Sequence, residues 1–303
     1  MRVMSFLPAR RLLALLAAGA LSLSAAACGG DEPAAEPDPD RIVLNPPSDG
    51  AGHTHAPGES DAASIGDGTT ASAGGYRLSD VRLPRGTDGP GDLSFRILDR
   101  DGQPVTDLTE VQTKLVHLYV VRTDLGVYRH VHPSLTGDST WTVPVDLDGP
   151  GDYRVLADFQ PAGADRPVVL GETVAVPGRW RPTVATASDQ SDDGIVRVAV
   201  DGPVEAGEDG RLHLVVTTVD GEPVTLGSYL GTSAHVSGFR VADRPADQVF
   251  VHVHPYGAPE VTDDGTRLTF HTTFERPGDY HLFVQVRVDG LLHTVPVTAT
   301  VTS

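Results

Sequence analysis

From Tyr76 to the C-terminus, short runs of Val, Leu, Ile, Tyr and Phe alternate with turn-forming pairs such as Asp-Gly and Pro-Gly. Brief apolar runs bounded by turn residues predict strands, and no stretch sustains a helical period. The expected class is all-β. The pattern also repeats itself in order. FRILDRDGQPVT is answered by LVVTTVDGEPVT; HLYVVR and YRHVHP are answered by HVSGFR and FVHVHP; DGPGDYRVLADF is answered by ERPGDYHLFVQV. Three matched blocks, offset by about 120 residues, describe a duplicated module. The expected organisation is a first β-sandwich over 75–178, a linker over 179–193 where Pro, Ser and Asp interrupt the strands, and a second β-sandwich over 194–303.

The Gly-Asp-Tyr element refines the type of sandwich. A Tyr that opens a late strand after a Gly-containing turn occupies the tyrosine-corner position of immunoglobulin-like folds, where its hydroxyl bonds back to an earlier turn. Tyr153 and Tyr280 both qualify. The modules are therefore expected to be tandem immunoglobulin-like sandwiches, and this tyrosine role is structural.

Ahead of the modules the composition changes twice. Arg2, Arg10 and Arg11 precede the apolar run from Leu12 to Leu23, which ends in small residues at Ala25-Ala26-Ala27. A basic start, a short apolar stretch and a small-residue cleavage site make a secretory signal peptide over 1–27. Cys28, the only cysteine, follows directly. Its setting resembles the lipobox of bacterial lipoproteins, which implies lipidation at Cys28 and anchorage at the outer face of the cytoplasmic membrane. Ala25 departs from the usual leucine three residues earlier, so plain secretion stays open. Residues 28–74, rich in Pro, Gly, Ala, Ser and acids, read as a disordered tether with a root-mean-square reach of roughly 35–40 Å.

The formal net charge is −18, and it becomes more negative by three once the leader arginines are removed. Such an acidic chain does not favour nucleic acid. With Cys28 lipidated, no disulfide is available. No Gly-x-Ser-x-Gly elbow, phosphate loop, His-Glu-x-x-His run or cysteine nucleophile is present, so a non-enzymatic role and no organic cofactor are expected.

The twelve histidines carry the one chemical signal. If the first hairpin turns on Asp124-Leu125, then His117 opposes His132 and Tyr119 opposes His130. Strand period two then puts His130 and His132 on one face. Val116, Leu118, Val120 and Val131 fill the other face. In the second module a connection centred on Arg244-Pro245 brings His235 opposite His254, with His252 two residues before it. Three-His patches suit Zn(II), Cu(II) or Ni(II), and without Met beyond the leader Cu(II) and Zn(II) lead. The opposing reading is that these rings pack structurally and were inherited twice. Tyr119, Val121 and Tyr128 make the histidine face apolar as well, which leaves open the face that is buried. His53 and His55 form a further pair in the tether. His293 is placed on the Tyr280/Leu282 face of the last hairpin, opposite His281.

The segments HLYVVRTDLGVYRHVHP, GDYRVLADFQPAG, HVHP and GDYHLFVQVRVDGLLHTVPV resemble a family of actinobacterial secreted proteins and lipoproteins labelled heavy-metal-associated. These are similar in outline to the CopC and YtkA-like β-sandwich modules. Carried over residue by residue, the resemblance implies metal ligation at His117, His130 and His132, and at His235, His252, His254 and His293. It further implies a metal-handling envelope protein as partner, with the second site degenerate where SGFRVADRPADQ replaces the regular sequence. Metal buffering or delivery and a non-catalytic envelope interaction module are the two functional expectations.

Overall fold

The computed structural model describes residues 63–303, except 86–88, 184–185, 208–209, 254 and 273. The expected signal peptide, Cys28, the tether up to residue 62 and the His53/His55 pair lie outside the described residues.

The first module contains β1 (Ser72–Ala73), β2 (Tyr76–Arg82), β3 (Gly91–Leu98), β4 (Leu108–Thr109), β5 (Val116–Arg122), β6 (Tyr128–Val131), β7 (Ser134–Leu135), β8 (Trp141–Val145), β9 (Gly151–Pro161) and β10 (Val168–Val176). The second contains β11 (Gln190–Asp192), β12 (Val196–Val200), β13 (Val204–Glu205), β14 (Arg211–Thr218), β15 (Leu226–Gly227), β16 (Ala234–Arg240), β17 (Phe250–Val253), β18 (Glu260–Thr262), β19 (Gly265–His271), β20 (Gly278–Val288) and β21 (Leu291–Thr302). A 3-10 turn, Pro245–Asp247, lies between β16 and β17. The class is all-β, as the alternation predicted. Among the described residues no helix is long and apolar enough to cross a membrane.

Each module is two sheets around one core. In the first, β1-β2-β3-β8-β7 faces β10-β9-β5-β6, and β4 adds to β9. In the second, β11-β12-β14-β19-β18 faces β13-β21-β20-β16-β17, and β15 adds to β20. The orders correspond strand for strand around β5/β6/β9 and β16/β17/β20, which is the duplication expressed as topology. Both tyrosine corners form: Tyr153 donates to Gly149 O at 2.8 Å and Tyr280 to Arg276 O at 3.0 Å.

Burial separates two kinds of strand. β3 and β8 alternate buried and accessible residues, as sheets with one wet face do. β5 and β16 are buried at six consecutive positions, so both of their faces are covered. One face joins its own module's core, through Val116, Leu118 and Val120 in the first module and Ala234 and Val236 in the second. The other face belongs to a third apolar cluster that draws on both modules: Tyr119, Val121, Tyr128 and Leu156 with Phe239, Phe250 and Phe283. Tyr128 stacks on Phe283 with centroids 4.1 Å apart and an interplanar angle of 7°. The modules are thus joined through their histidine-bearing sheets.

Arg154 reinforces the junction. It is 2% exposed, yet it donates to Gln248 O at 2.6 Å and to Gly68 O at 2.7 Å, neutralising two buried carbonyls from separate parts of the chain.

Two expected boundaries move. The tether was expected to run to residue 74, but its described part is folded: Ile65 bridges Val168, Val169 N donates to Ile65 O, and Gly171 N donates to Thr70 O. Composition misled here because glycine served contact and not flexibility. A Cβ at Gly171 would lie 2.0 Å from Gly68 O, and Gly68 itself adopts φ +71° against Leu156. The linker also shortens, since β11 pairs with β12 from Gln190 onward. Its beginning packs back on the first module, where Arg122 lies 5.6 Å from the Trp180 ring and Thr183 N donates to Asp124 Oδ2.

Candidate metal centre

Register delivers the histidines. In the first hairpin Leu118 opposes Val131, Tyr119 opposes His130 and Val121 opposes Tyr128. This is the pairing expected from a turn at Asp124-Leu125, with Leu125 in the left-handed region at φ 62°. The ladder ends at Val131, one residue before His132, yet the His132 ring still reaches its neighbours. Its centroid lies 5.2 Å from that of His117 and 4.8 Å from that of His130. His117, His130 and His132 each offer a nitrogen within 4.8 Å of the others, a group able to hold a metal ion.

The second hairpin keeps its expected register despite the inserted 3-10 turn. Val236 opposes Val253 and Ser237 opposes His252. His235 and His252 stack with centroids 5.7 Å apart. Because the two sheets face each other, the pairs meet: His235 lies 6.2 Å from His117 and 5.9 Å from His130, and His252 lies 5.7 Å from His117. Five histidines thus share one cluster between the modules, His117 and His235 buried and His130, His132 and His252 partly so. Phe250 and Tyr119 seal one side at 4.8 Å.

Hydrogen bonding determines which nitrogens point inward. His117 Nε2 lies 2.9 Å from Val111 O, and a carbonyl can only accept, so Nε2 carries the proton. Its Nδ1 is then a bare lone pair. His130 Nδ1 lies 2.7 Å from Gln285 Oε1, while the Gln285 amide nitrogen turns to Thr294 Oγ1 at 3.3 Å. With its oxygen so placed, Gln285 draws the proton to His130 Nδ1 and leaves Nε2 a lone pair; with the amide turned over, His130 Nε2–H would instead donate to His117 Nδ1. His117 Nδ1 and His130 Nε2 face each other at 3.0 Å. His252 is placed in the same way, with Nδ1 3.0 Å from Asp158 Oδ2 and Nε2 3.5 Å from His235 Nδ1, which by geometry can either donate to it or accept from it. Two nitrogens bound to one tetrahedral ion at 2.0–2.1 Å lie roughly 3.4 Å apart, a spacing that the two observed distances bracket.

Neither ring of the first pair takes up a second proton at neutral pH. Burial, then the charge of neighbouring His252, lowers His117 to about 4. Burial, then His117 and Lys114, lowers His132 to about 3. Burial, then His117 and His132, takes His130 well below the ordinary histidine range. All three are neutral at pH 7, the form in which imidazole ligates a metal. His132 Nε2 is buried and finds no hydrogen-bond partner among the described residues. Tyr119 is fully buried, which holds its phenol well above its usual value, and its Oη lies 3.1 Å from both ring nitrogens of His252.

Not every expected ligand joins. His254 lies outside the described residues. His293 opposes Val286, on the core face that also carries Leu282 and Val284, and its Nδ1 lies 2.7 Å from Asp193 Oδ2. That is the face expected for it, and it points away from the His235 face of the same sheet. His271 stacks on Tyr256 at 4.2 Å and His213 contacts Thr269 Oγ1. Sequence reasoning missed Asp158 and Gln285. Both oppose a cluster histidine directly, Asp158 on β9 across from His117 and Gln285 on β20 across from His235. Their shared position in GDYRVLADF and GDYHLFVQV was the available signal.

Residues 71–175 and 189–303 each match the family described as Domain of unknown function (DUF8832). Among solved structures, the chain is similar to invasin, a bacterial integrin-binding protein, at 14% identity and TM-score 0.20, covering 75% of this chain and 39% of that one. A putative membrane anchored protein from Corynebacterium diphtheriae gives 10% identity and TM-score 0.21, covering 75% and 59%. The Yersinia pseudotuberculosis adhesin InvE gives 12% and 0.20, covering 79% and 61%. The chain spans less than two thirds of each of these structures. No curated protein matches the sequence.

Proposed function

The chain belongs to the DUF8832 family, of unknown function, and carries its domain twice; from that premise we propose that it is an extracytoplasmic, lipid-anchored protein that binds a divalent transition metal, Cu(II) or Zn(II), for buffering or delivery. The observation that carries this reading is the convergence of three imidazoles, with His117 Nδ1 and His130 Nε2 3.0 Å apart and His132 Nε2 buried beside them. A divalent cation would be held by the lone pairs that neutral imidazoles turn toward one another here. His117, His130 and His132 would hold the ion. Three nitrogens without sulfur suit a borderline divalent metal. The ion's role is that of cargo or of a bound structural centre. Lipid attachment at Cys28 and export come from the leader sequence alone, and a metal-handling envelope protein is the partner this reading implies.

A second reading has one specific observation behind it. His252 of the second module lies against Tyr119 and His117 of the first, with centroids 5.4 Å and 5.7 Å away, so the rings also contribute to packing between the modules. In that case the protein is a non-catalytic envelope interaction module. Burial does not separate the readings, because the second module covers the cluster whichever is true. Calorimetric titration of Cu(II) and Zn(II) into the chain, beside a His130→Ala/His132→Ala variant that keeps its fold, separates them. Micromolar or tighter binding that the variant loses supports the metal reading. No binding, or equal binding by the variant, leaves the packing role.

A further inference from the structure

Gln285 and Asp158 occupy equivalent places in the two copies. Each sits on the long strand beside the first histidine of its own hairpin, with Asp158 opposite His117 and Gln285 opposite His235. Neither serves its own hairpin. Gln285 of the second module accepts from His130 of the first at 2.7 Å, and Asp158 of the first module accepts from His252 of the second at 3.0 Å. The exchange is reciprocal, as expected of a pseudo-two-fold arrangement of duplicated modules. In each case the bond consumes Nδ1–H and turns Nε2 toward the other histidine of that hairpin, His117 Nδ1 or His235 Nδ1.

An acceptor on the outer nitrogen of a ligating histidine sets its tautomer and ring orientation, and its loss typically reduces metal affinity 10–100-fold. We propose that Gln285 and Asp158 are positioning residues that act across the module boundary, so that each hairpin's metal-binding nitrogens are set by the other module and the centre is complete only when the two are docked. This rests on the metal reading above, but the tautomers it assigns exist without metal. The acceptors also differ in chemistry. A carboxylate makes the imidazole it holds a more basic ligand than an amide does. The His252 side is therefore the stronger donor, and a Gln285→Glu change gives His130 the same advantage.

The tautomers can be read directly from imidazole 15N shifts and two-bond 15N–1H correlations in the metal-free protein at neutral pH. His130 is expected with its proton on Nδ1, and Gln285→Ala is expected to move it to Nε2 or to a mixture. Gln285→Glu, which keeps an acceptor oxygen at the same reach, is expected to leave it on Nδ1. Zn(II) titration of the same folded proteins should then give a 10–100-fold weaker site for Gln285→Ala, with affinity recovered in Gln285→Glu. Asp158→Ala should release His252 in the same way and leave the His130 tautomer unchanged. An unchanged His130 tautomer in Gln285→Ala, or an affinity within about threefold of wild type, overturns the inference. If wild type binds no Zn(II), the metal reading fails alone, and the tautomer measurement still decides whether Gln285 positions His130. Should Gln285→Ala fail to fold, the Asp158→Ala arm decides.

Discussion

The two histidine hairpins share a backbone and differ in what surrounds their rings. In both, one register brings a histidine pair together, Nδ1 to Nε2, at 3.0 Å in the first and 3.5 Å in the second. Opposite the middle histidine the first hairpin places Tyr119 where the second has Ser237. The outer acceptor is an amide for His130 and a carboxylate for His252. Duplication has thus kept the inward nitrogens and altered their supports. A purely architectural role for the rings needs only the shape of the pair. The retained Nδ1-to-Nε2 orientation, each time with the outer nitrogen tied to an acceptor, is what a ligand role needs.

The comparison depends on the modules sealing each other. Breaking that seal is the largest effect expected. Phe239 is fully buried between Phe250, at 5.3 Å, and the Arg154 guanidinium, at 5.8 Å. Phe239→Ala should cost about 3–5 kcal/mol in denaturant unfolding, as much as Phe95→Ala within the first module's own core. A cost below about 1 kcal/mol would mean that the interface is no core at all.

Acid gives a smaller and more selective effect. His117 has its folded value lowered to about 4, against an ordinary 6.5. Between those values the unfolded chain binds the proton and the folded one does not. Stability of the metal-free protein is therefore fully present above about pH 6.5 and is lost as pH falls toward 4. Replacing His117 by Gln should flatten that dependence by up to about 1.4 kcal/mol per pH unit. Urea unfolding between pH 7.5 and 4.5 checks it. An equally steep variant would place the acid sensitivity in the other histidines that burial lowers, His130, His132 and His281.

Much of this was legible because it follows from local pattern. Alternation set the strands, the Asp124-Leu125 turn set one register, and pairing parity carried the other through an unfamiliar loop. The position of Tyr153 and Tyr280 after a Gly turn announced both corners. What escaped were relations between modules. Tyr119, Val121 and Tyr128 mark the histidine face as apolar, and a sheet apolar on both faces must be covered twice, but no residue names the cover. Asp158 among 41 acidic residues is invisible until β9 is aligned with β5. Gly66 and Gly68 read as tether because composition cannot tell a glycine that flexes from one that permits close contact.

The most direct test of the central claim is X-ray absorption at the edge of Zn(II) or Cu(II) bound at one equivalent. Three imidazoles in the scattering, falling to one in His130→Ala/His132→Ala or lost with the metal, is the predicted result. A shell of oxygen donors with at most one imidazole in the wild-type protein would contradict it.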